Sequence, residues 1–382
     1  MRACKPADEC DDGERMRRVV TVSGVMGVMM AWPVLAGAQI DDMSAQELYD
    51  AACAKCHGLD GAGVDPSQVA FTVPTPNFAE CSFSSREPDF DWIAVAHQGG
   101  PVRGFDETMP AFGDSFDEEQ LGRIVEYIRG FCRDDSWPRG ELNLPRPMIT
   151  EKAFPEDEFV FTVISDVEAP ERVLGIFVYE NRFGPVNQFE IKLPIGMSQT
   201  GSPSGGWSGG LGDIEVGLKR AMLHSRTSIM SLGFDVRFPI GDETKNLGKG
   251  TTLLEPYLAY GQVLPAGLFL HSQAKVEFST QTSVAHHEAA LRAALGWSWA
   301  QGGGWGRTWS PMLEVLGKRD FESGARIQWE LVPQLQVTLN TRQHIMLNVG
   351  FGFPVTDASS RSKRFMVYLL WDWYDGGPFD GW

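Results

Sequence analysis

Past residue 38 this 382-residue chain has no apolar run long enough for a membrane-spanning helix, which excludes anchoring by helices in that part. Positive charge is scarce: 33 Lys and Arg against 50 Asp and Glu leave a formal net charge of −17. That balance excludes nucleic acid as a partner, because a phosphate backbone needs a basic face. Cysteine is sparse, six in all, and Cys-x-x-Cys occurs once, at 53–56. With no second such pair, half of a four-ligand zinc site is missing. A βαβ pattern around the pair is absent too, so a redox dithiol lacks its usual context.

What is present begins with an export signal. Residues 16–38, "MRRVVTVSGVMGVMMAWPVLAGA", carry Arg17 and Arg18, an apolar run and the cleavable ending Ala36-Gly37-Ala38. Residues 1–15 read as an extension upstream of Met16. Cys4 and Cys10 leave with this segment, so Cys53, Cys56, Cys81 and Cys132 remain in an oxidising compartment.

Cys53-Ala54-Lys55-Cys56-His57 has the spacing of a c-type haem attachment site. One helical turn presents both thiols to the two vinyl groups of a porphyrin, and the adjacent imidazole reaches the iron. Ser44-Ala45-Gln46-Glu47 is a capping box that opens a helix running into the motif. A sixth ligand requires a soft or imidazole donor further on. Met109, just before Pro110, is the first candidate; His97, before Gly99-Gly100, and Met148 are rivals. A second capping box, Ser115-x-x-Glu118, precedes Leu121, Ile124, Val125, Ile128 and Phe131 at helical spacing. Cys81 and Cys132 are left over; they either pair as a disulfide or stay inert thiols.

Residues 42–133 closely resemble class I cytochrome c: CxxCH after a first helix, a Met-Pro loop, then an amphipathic last helix. The resemblance implies an all-α domain with one covalent haem c held by Cys53 and Cys56, with His57 and Met109 as axial ligands of its iron. His/Met ligation implies a raised reduction potential.

Residues 39–135 hold 19 acidic and 6 basic groups, and residues 136–382 hold 26 and 22. An acidic surface on the first part would steer a basic redox carrier or metal cations. Residues 136–157 are a Pro-rich, poorly periodic linker. From 158 to 382 the chain alternates. In "SIMSLGFDVRF", Met230, Leu232, Phe234, Val236 and Phe238 share one face; Ser231, Gly233, Asp235 and Arg237 share the other. About twelve such segments have the length of a tilted bilayer-crossing strand. Trp297, Trp299, Trp329, Trp371 and Trp373 crowd segment ends. Short connections at 183–185, 224–226, 264–266 and 339–342 interleave with longer ones, and "QGGGWGRT" at 301–308 breaks that rhythm. The expected architecture is an antiparallel transmembrane β-barrel of about twelve strands; a soluble β-sandwich is the alternative.

Such a barrel is ~22 Å across, whereas the haem domain, ~30 Å across, belongs at its mouth. An even strand number puts both barrel ends, and the haem domain, in the periplasm. The layout resembles the fused monohaem cytochrome–porins of outer membranes, some of which accept electrons from extracellular ferrous iron. It implies an electron-transfer protein rather than an enzyme, set in outer-membrane lipid. Electrons would pass between an external or lumen-diffusing donor, Fe(II) or a small organic molecule, and a periplasmic carrier. A solute channel with an attached redox domain is the alternative. The lumen acids Asp213, Glu215, Glu314 and Glu330 are expected to admit cationic donors, and His286-His287-Glu288 is the sole external metal-binding candidate.

Overall fold

A computed structural model describes residues 40–69, 73–168, 171–199, 206–245 and 247–372. The export signal, Cys4, Cys10 and Trp373 lie outside the described residues. The chain divides into Met1–Asp42 and Met43–Trp382, and the second unit carries all that follows. Among the described residues no helix is long and apolar enough to cross a membrane.

The first helices are α1 (Ala45–Ala52) and α2 (Ala54–His57), followed by α3 (Pro66–Val69), α4 (Cys81–Ser84), α5 (Asp89–Gln98) and α6 (Glu118–Arg129). Ser44 caps α1 with Glu47 as reciprocal partner: Ser44 N donates to Glu47 Oε2 at 2.8 Å. The cap of α6 differs from the sequence expectation. Ser115 N turns back to Phe112 O at 2.9 Å. Asp117 caps instead, its Oδ1 accepting Gln120 N at 2.8 Å while Gln120 Oε1 accepts Asp117 N at 3.1 Å. An Asp–Gln box two residues on provides the same reciprocal satisfaction of open N–H groups. Leu121, Ile124, Val125 and Ile128 form the buried stripe of α6, which packs on α1 and α5.

Beyond it lie β1 (Glu158–Asp166), β2 (Arg172–Phe183), β3 (Asn187–Gln199), β4 (Trp207–Leu211), β5 (Ile214–His224), β6 (Ser228–Phe238) and β7 (Leu253–Val263). Then come β8 (Leu268–Ser279), β9 (Glu288–Trp297), β10 (Trp299–Ala300), β11 (Thr308–Asp320), β12 (Gln328–Thr338), β13 (Ile345–Pro354) and β14 (Arg364–Asp372). Every neighbouring pair is antiparallel, and the sheet closes where β1 meets β14, from Glu158↔Asp372 to Asp166↔Arg364. The short β4 and β10 pair with β3 and β11 and continue the lines of β5 and β9, so twelve strands make the wall. Closure removes both edges, which a sandwich cannot do. Period-2 alternation sorts the side chains: Leu218, Leu232, Leu258, Leu291, Leu313 and Leu369 stay exposed on the outer face. Glu180, Glu190, Lys219, Asp235, Glu255 and Glu314 are buried within. This is the apolar-out, polar-in pattern of a membrane barrel.

The segment after the helices corrects the sequence reading. Residues 142–157 are no free linker; they fold into the barrel as a plug. Met148 packs with Val160, Val178, Val332 and Met366, and Leu142, Ala153 and Phe154 pack with Ile229, Tyr257 and Ala259. Wall side chains satisfy its backbone: Tyr368 Oη donates to Arg146 O at 2.6 Å, Lys219 Nζ to Lys152 O at 2.9 Å, and Arg292 Nη1 to Ile149 O at 3.3 Å. Gln188 Oε1 accepts Glu156 N at 2.7 Å. A segment with no sheet neighbour needs such partners, since buried N–H and C=O groups are costly when unmet.

Candidate functional site

Cys53 ends α1 and leads directly into α2. Cys56 N and His57 N both donate to Cys53 O, at 3.1 and 3.0 Å, so the two thiols and the imidazole sit on one tight turn. Both thiols are free and half-buried. Burial, reinforced by Cys56 nearby, pushes the Cys53 thiol up to about 11. Burial also lowers His57 to about 4, which keeps its imidazole neutral and able to ligate a metal. The ring stacks on Phe78, centroids 4.7 Å apart, and its Nδ1 is buried without a hydrogen-bond partner. Tyr49 Oη holds the next carbonyl, Gly58 O, at 2.6 Å. Gly58 takes φ +76°, where a side chain would be strained, and Gly61 leaves no room beside Phe131.

Met109 lies on a second tight return. Gly100 N donates to Met109 O at 3.0 Å, and Met109 N donates to Asp106 O at 3.3 Å. A Cβ on Gly100 would meet Asp106 O at 2.3 Å, so the loop closes only around glycine. Two free thiols, a half-buried imidazole with an orphaned Nδ1 and a half-buried thioether are donors of the kind that fits a c-type haem. The rival ligands are otherwise engaged. The His97 ring stacks on Trp305 with centroids 4.6 Å apart, and Met148 is enclosed in the barrel. Among the described residues, the groupings able to hold an ion are three buried acid clusters, none of which includes Cys53 or Cys56.

Cys81 and Cys132 form a disulfide with a Cα–Cα distance of 5.0 Å, tying α4 to the end of α6. Arg129 Nε pairs with Asp89 at 2.9 Å, tying α6 to the start of α5. The helical domain docks on the barrel end that carries the short connections. Arg226 meets Glu126 at 2.6 Å and His344 meets Glu87 at 3.0 Å. Arg342 lies over the Phe105 ring at 4.7 Å. Arg103 donates to Trp305 O at 2.8 Å and to Asp91 at 2.5 Å. The loop that breaks the short–long rhythm, 301–307, is therefore a docking element. Full burial and nearby Glu87 push the Asp91 carboxyl up to about 7 against the pull of Arg103.

The four lumen acids named from the sequence face inward, yet none is free to lead cations through. Glu314 Oε1 accepts Ile149 N at 3.1 Å and Thr150 Oγ1 at 2.6 Å, so it holds the plug tip. Glu215 is shared by Lys192 and Arg237, and Glu330 by Arg361 and Arg364. Asp213 accepts Gly241 N and Lys249 N, fixing a long loop. The His-His-Glu run disperses as well: His287 Nδ1 accepts Ser279 N at 3.0 Å, and Glu288 pairs with Lys318 at 2.8 Å. Sequence reasoning missed the plug residues Arg146, Ile149 and Thr150; a polar, aperiodic stretch gives no signal for burial among partners on every side.

The two halves define the class: a cytochrome c-type domain fused to a closed, porin-like barrel of the outer-membrane type. Residues 40–128 match the family described as cytochrome c oxidase, cbb3-type, subunit III, a match that implies haem binding; residues 172–361 match the family described as putative MetA-pathway of phenol degradation. Among solved structures, an outer membrane channel from Pseudomonas putida F1 is similar at 13% identity and TM-score 0.43, covering 60% of this chain and 100% of that one. The NanC porin (9%, TM-score 0.40) and the KdgM porin in complex with disordered oligogalacturonate (10%, TM-score 0.36) each cover 56% of this chain and 99% of their own. No curated protein matches the chain.

Proposed function

We propose that this chain carries one covalent haem c, which Cys53 and Cys56 would attach and His57 and Met109 would ligate, and that it exchanges electrons between the far side of the outer membrane and periplasmic carriers. The haem supplies one-electron chemistry through its iron. The residues around it position that group: Tyr49 fixes the attachment turn, Phe78 shields His57, and Gly99-Gly100 bring Met109 back. The helical domain then sits on the periplasmic side with both barrel ends.

The observation that carries the reading is the docked and plugged interface. The haem domain is fastened to the barrel rim by Arg103, Arg226, Arg342 and His344, while its own downstream chain fills the lumen. A simple solute channel has no use for a lumen closed this way. The plug also changes the route. Residues 142–149, if extended, span ~23 Å, so a donor halted at Ile149 remains remote from the haem. Exchange with the far side therefore depends on loosening the plug.

Haem reduction in proteoliposomes tests this. A membrane-impermeant reductant supplied on the haem-domain side reduces the haem at once. Supplied on the other side, it acts slowly in the wild-type protein and faster when the plug is weakened. Equal rates from both sides in the wild type would refute the plugged geometry. An absence of covalent haem would refute the electron-transfer reading.

A further inference from the structure

Above the plug, at the barrel end opposite the haem domain, lies a cavity of about 470 Å³ with Ile149 in its lining. In a chain of net charge −17, seven of its lining side chains are Lys or Arg and four are Asp or Glu. Those four carboxylates are already paired. Glu330 lies between Arg361 at 3.2 Å and Arg364 at 2.6 Å, Glu288 meets Lys318, Glu277 meets Arg237 at 3.4 Å, and Asp166 meets Arg172 at 3.2 Å. Two of the cations are matched from outside the lining, Arg237 by Glu215 and Glu255 and Lys275 by Glu255, so the positive charge left over sits at Arg292, Lys249 and the two guanidiniums that share Glu330. Among the described residues Arg292 has no carboxylate within ion-pair distance; its Nη1 donates to Gln273 Oε1 at 3.0 Å and to Ile149 O. Glu330 offsets only one of its two guanidiniums. Lys249 stands exposed at the rim.

We infer that this vestibule binds a small organic anion bearing several carboxylates. Three of the four guanidiniums that line the cavity, those of Arg292, Arg361 and Arg364, are not each matched by a carboxylate of their own, and a guanidinium presents paired donors matched to a carboxylate. The volume suits a small molecule. Few apolar side chains line it, so contacts with a hydrophobic body contribute little. Its surplus charge repels bare metal cations, which reverses the selectivity expected from the lumen acids alone. The plug makes it a blind site rather than a passage. This assignment stands apart from the haem, and its test reads binding without electron transfer.

Full-length protein in detergent micelles is titrated calorimetrically with citrate, with the neutral triethyl citrate, and with Mg²⁺. Citrate is expected to bind with a strong salt dependence, while the ester and Mg²⁺ give no saturable heat. Arg292→Gln weakens citrate about tenfold or more, the loss of one charge-assisted contact. Because Arg292 also holds the plug, Arg361→Gln serves as a second variant remote from Ile149, with a loss in the same direction. Heat-modifiable gel migration confirms that both variants keep the barrel. Ester binding equal to citrate, tighter binding of Mg²⁺, or unchanged citrate affinity in both variants would overturn the assignment.

Discussion

Replacing Arg146 with alanine isolates the plug as a barrier. Its Nη1 serves Glu158 and, at 2.8 Å, Glu180, whose side chains are 1% and 0% exposed. Removing one partner of a buried ion pair costs about 3–5 kcal/mol, because a charge is left buried and unmet. Lys152 Nζ stays 3.9 Å from Glu158 Oε2, which places the loss near the lower end, at about 3 kcal/mol. The backbone oxygen of Arg146 keeps its bond from Tyr368, so the plug loosens without being expelled. If the closed state bears the whole loss, the open-to-closed ratio rises by about 10². Planar-bilayer recording reads that ratio. Wild-type protein should show a closed baseline with rare openings, and Arg146→Ala should open about a hundredfold more often. Adding Glu158→Gln and Glu180→Gln removes the unpaired charges and should return the trace toward closed. A wild-type barrel that conducts steadily, or a folded Arg146→Ala barrel as silent as wild type, would refute the reasoning.

Three further outcomes follow. Denaturing gels should show haem staining that Cys53→Ala abolishes, and Met109→Ala should remove the weak near-infrared band of ferric thioether ligation while Met148→Leu leaves it intact. Cys81 and Cys132 lie 51 residues apart, so loop-closure entropy gives their disulfide about 4 kcal/mol; the double alanine variant should melt at lower temperature, and peptide mapping should find both thiols blocked in the unreduced parent. Asp91, raised to about 7 in the fold from about 3.9 in an unfolded chain, binds an extra proton when folded. Stability contributed there is present below pH ~4 and falls as pH rises toward 7, a slope that Asp91→Asn should flatten in thermal melts.

Much of this molecule was legible because its two halves write their structure in different periods. CxxCH, Met-Pro and the α6 stripe are local patterns, set by helical spacing and loop chemistry within a few residues. Strand alternation is equally local: Met230 to Phe238 shows its two faces with no knowledge of its neighbours. The number of walls also followed from counting segments. What stayed hidden depends on contacts distant in sequence. Thr150 to Glu314 spans 164 residues and Arg103 to Trp305 spans 202. Neither leaves a periodic trace. The lumen acids misled for the same reason. Glu215 and Glu330 read as free negative charge along the chain, and only folding brings Lys192, Arg237, Arg361 and Arg364 against them. The Ser115 cap failed by a smaller margin, since Ser115 and Asp117 offer competing starts and the turn at Phe112 decides between them.

The plug is continuous with β1, and β1 is one side of the seam that closes the barrel. The haem domain, ~30 Å across, cannot enter a ring ~22 Å wide. It docks at the end where β1 starts, Arg86 meeting Asp157 at 3.2 Å, so residues 142–157 enter and leave the lumen through one mouth. They rejoin the wall at Glu158, where pairing with Asp372 begins the β1–β14 seam. A chain whose plug fails to seat would present a β1 edge displaced at Glu158, the residue that joins both structures.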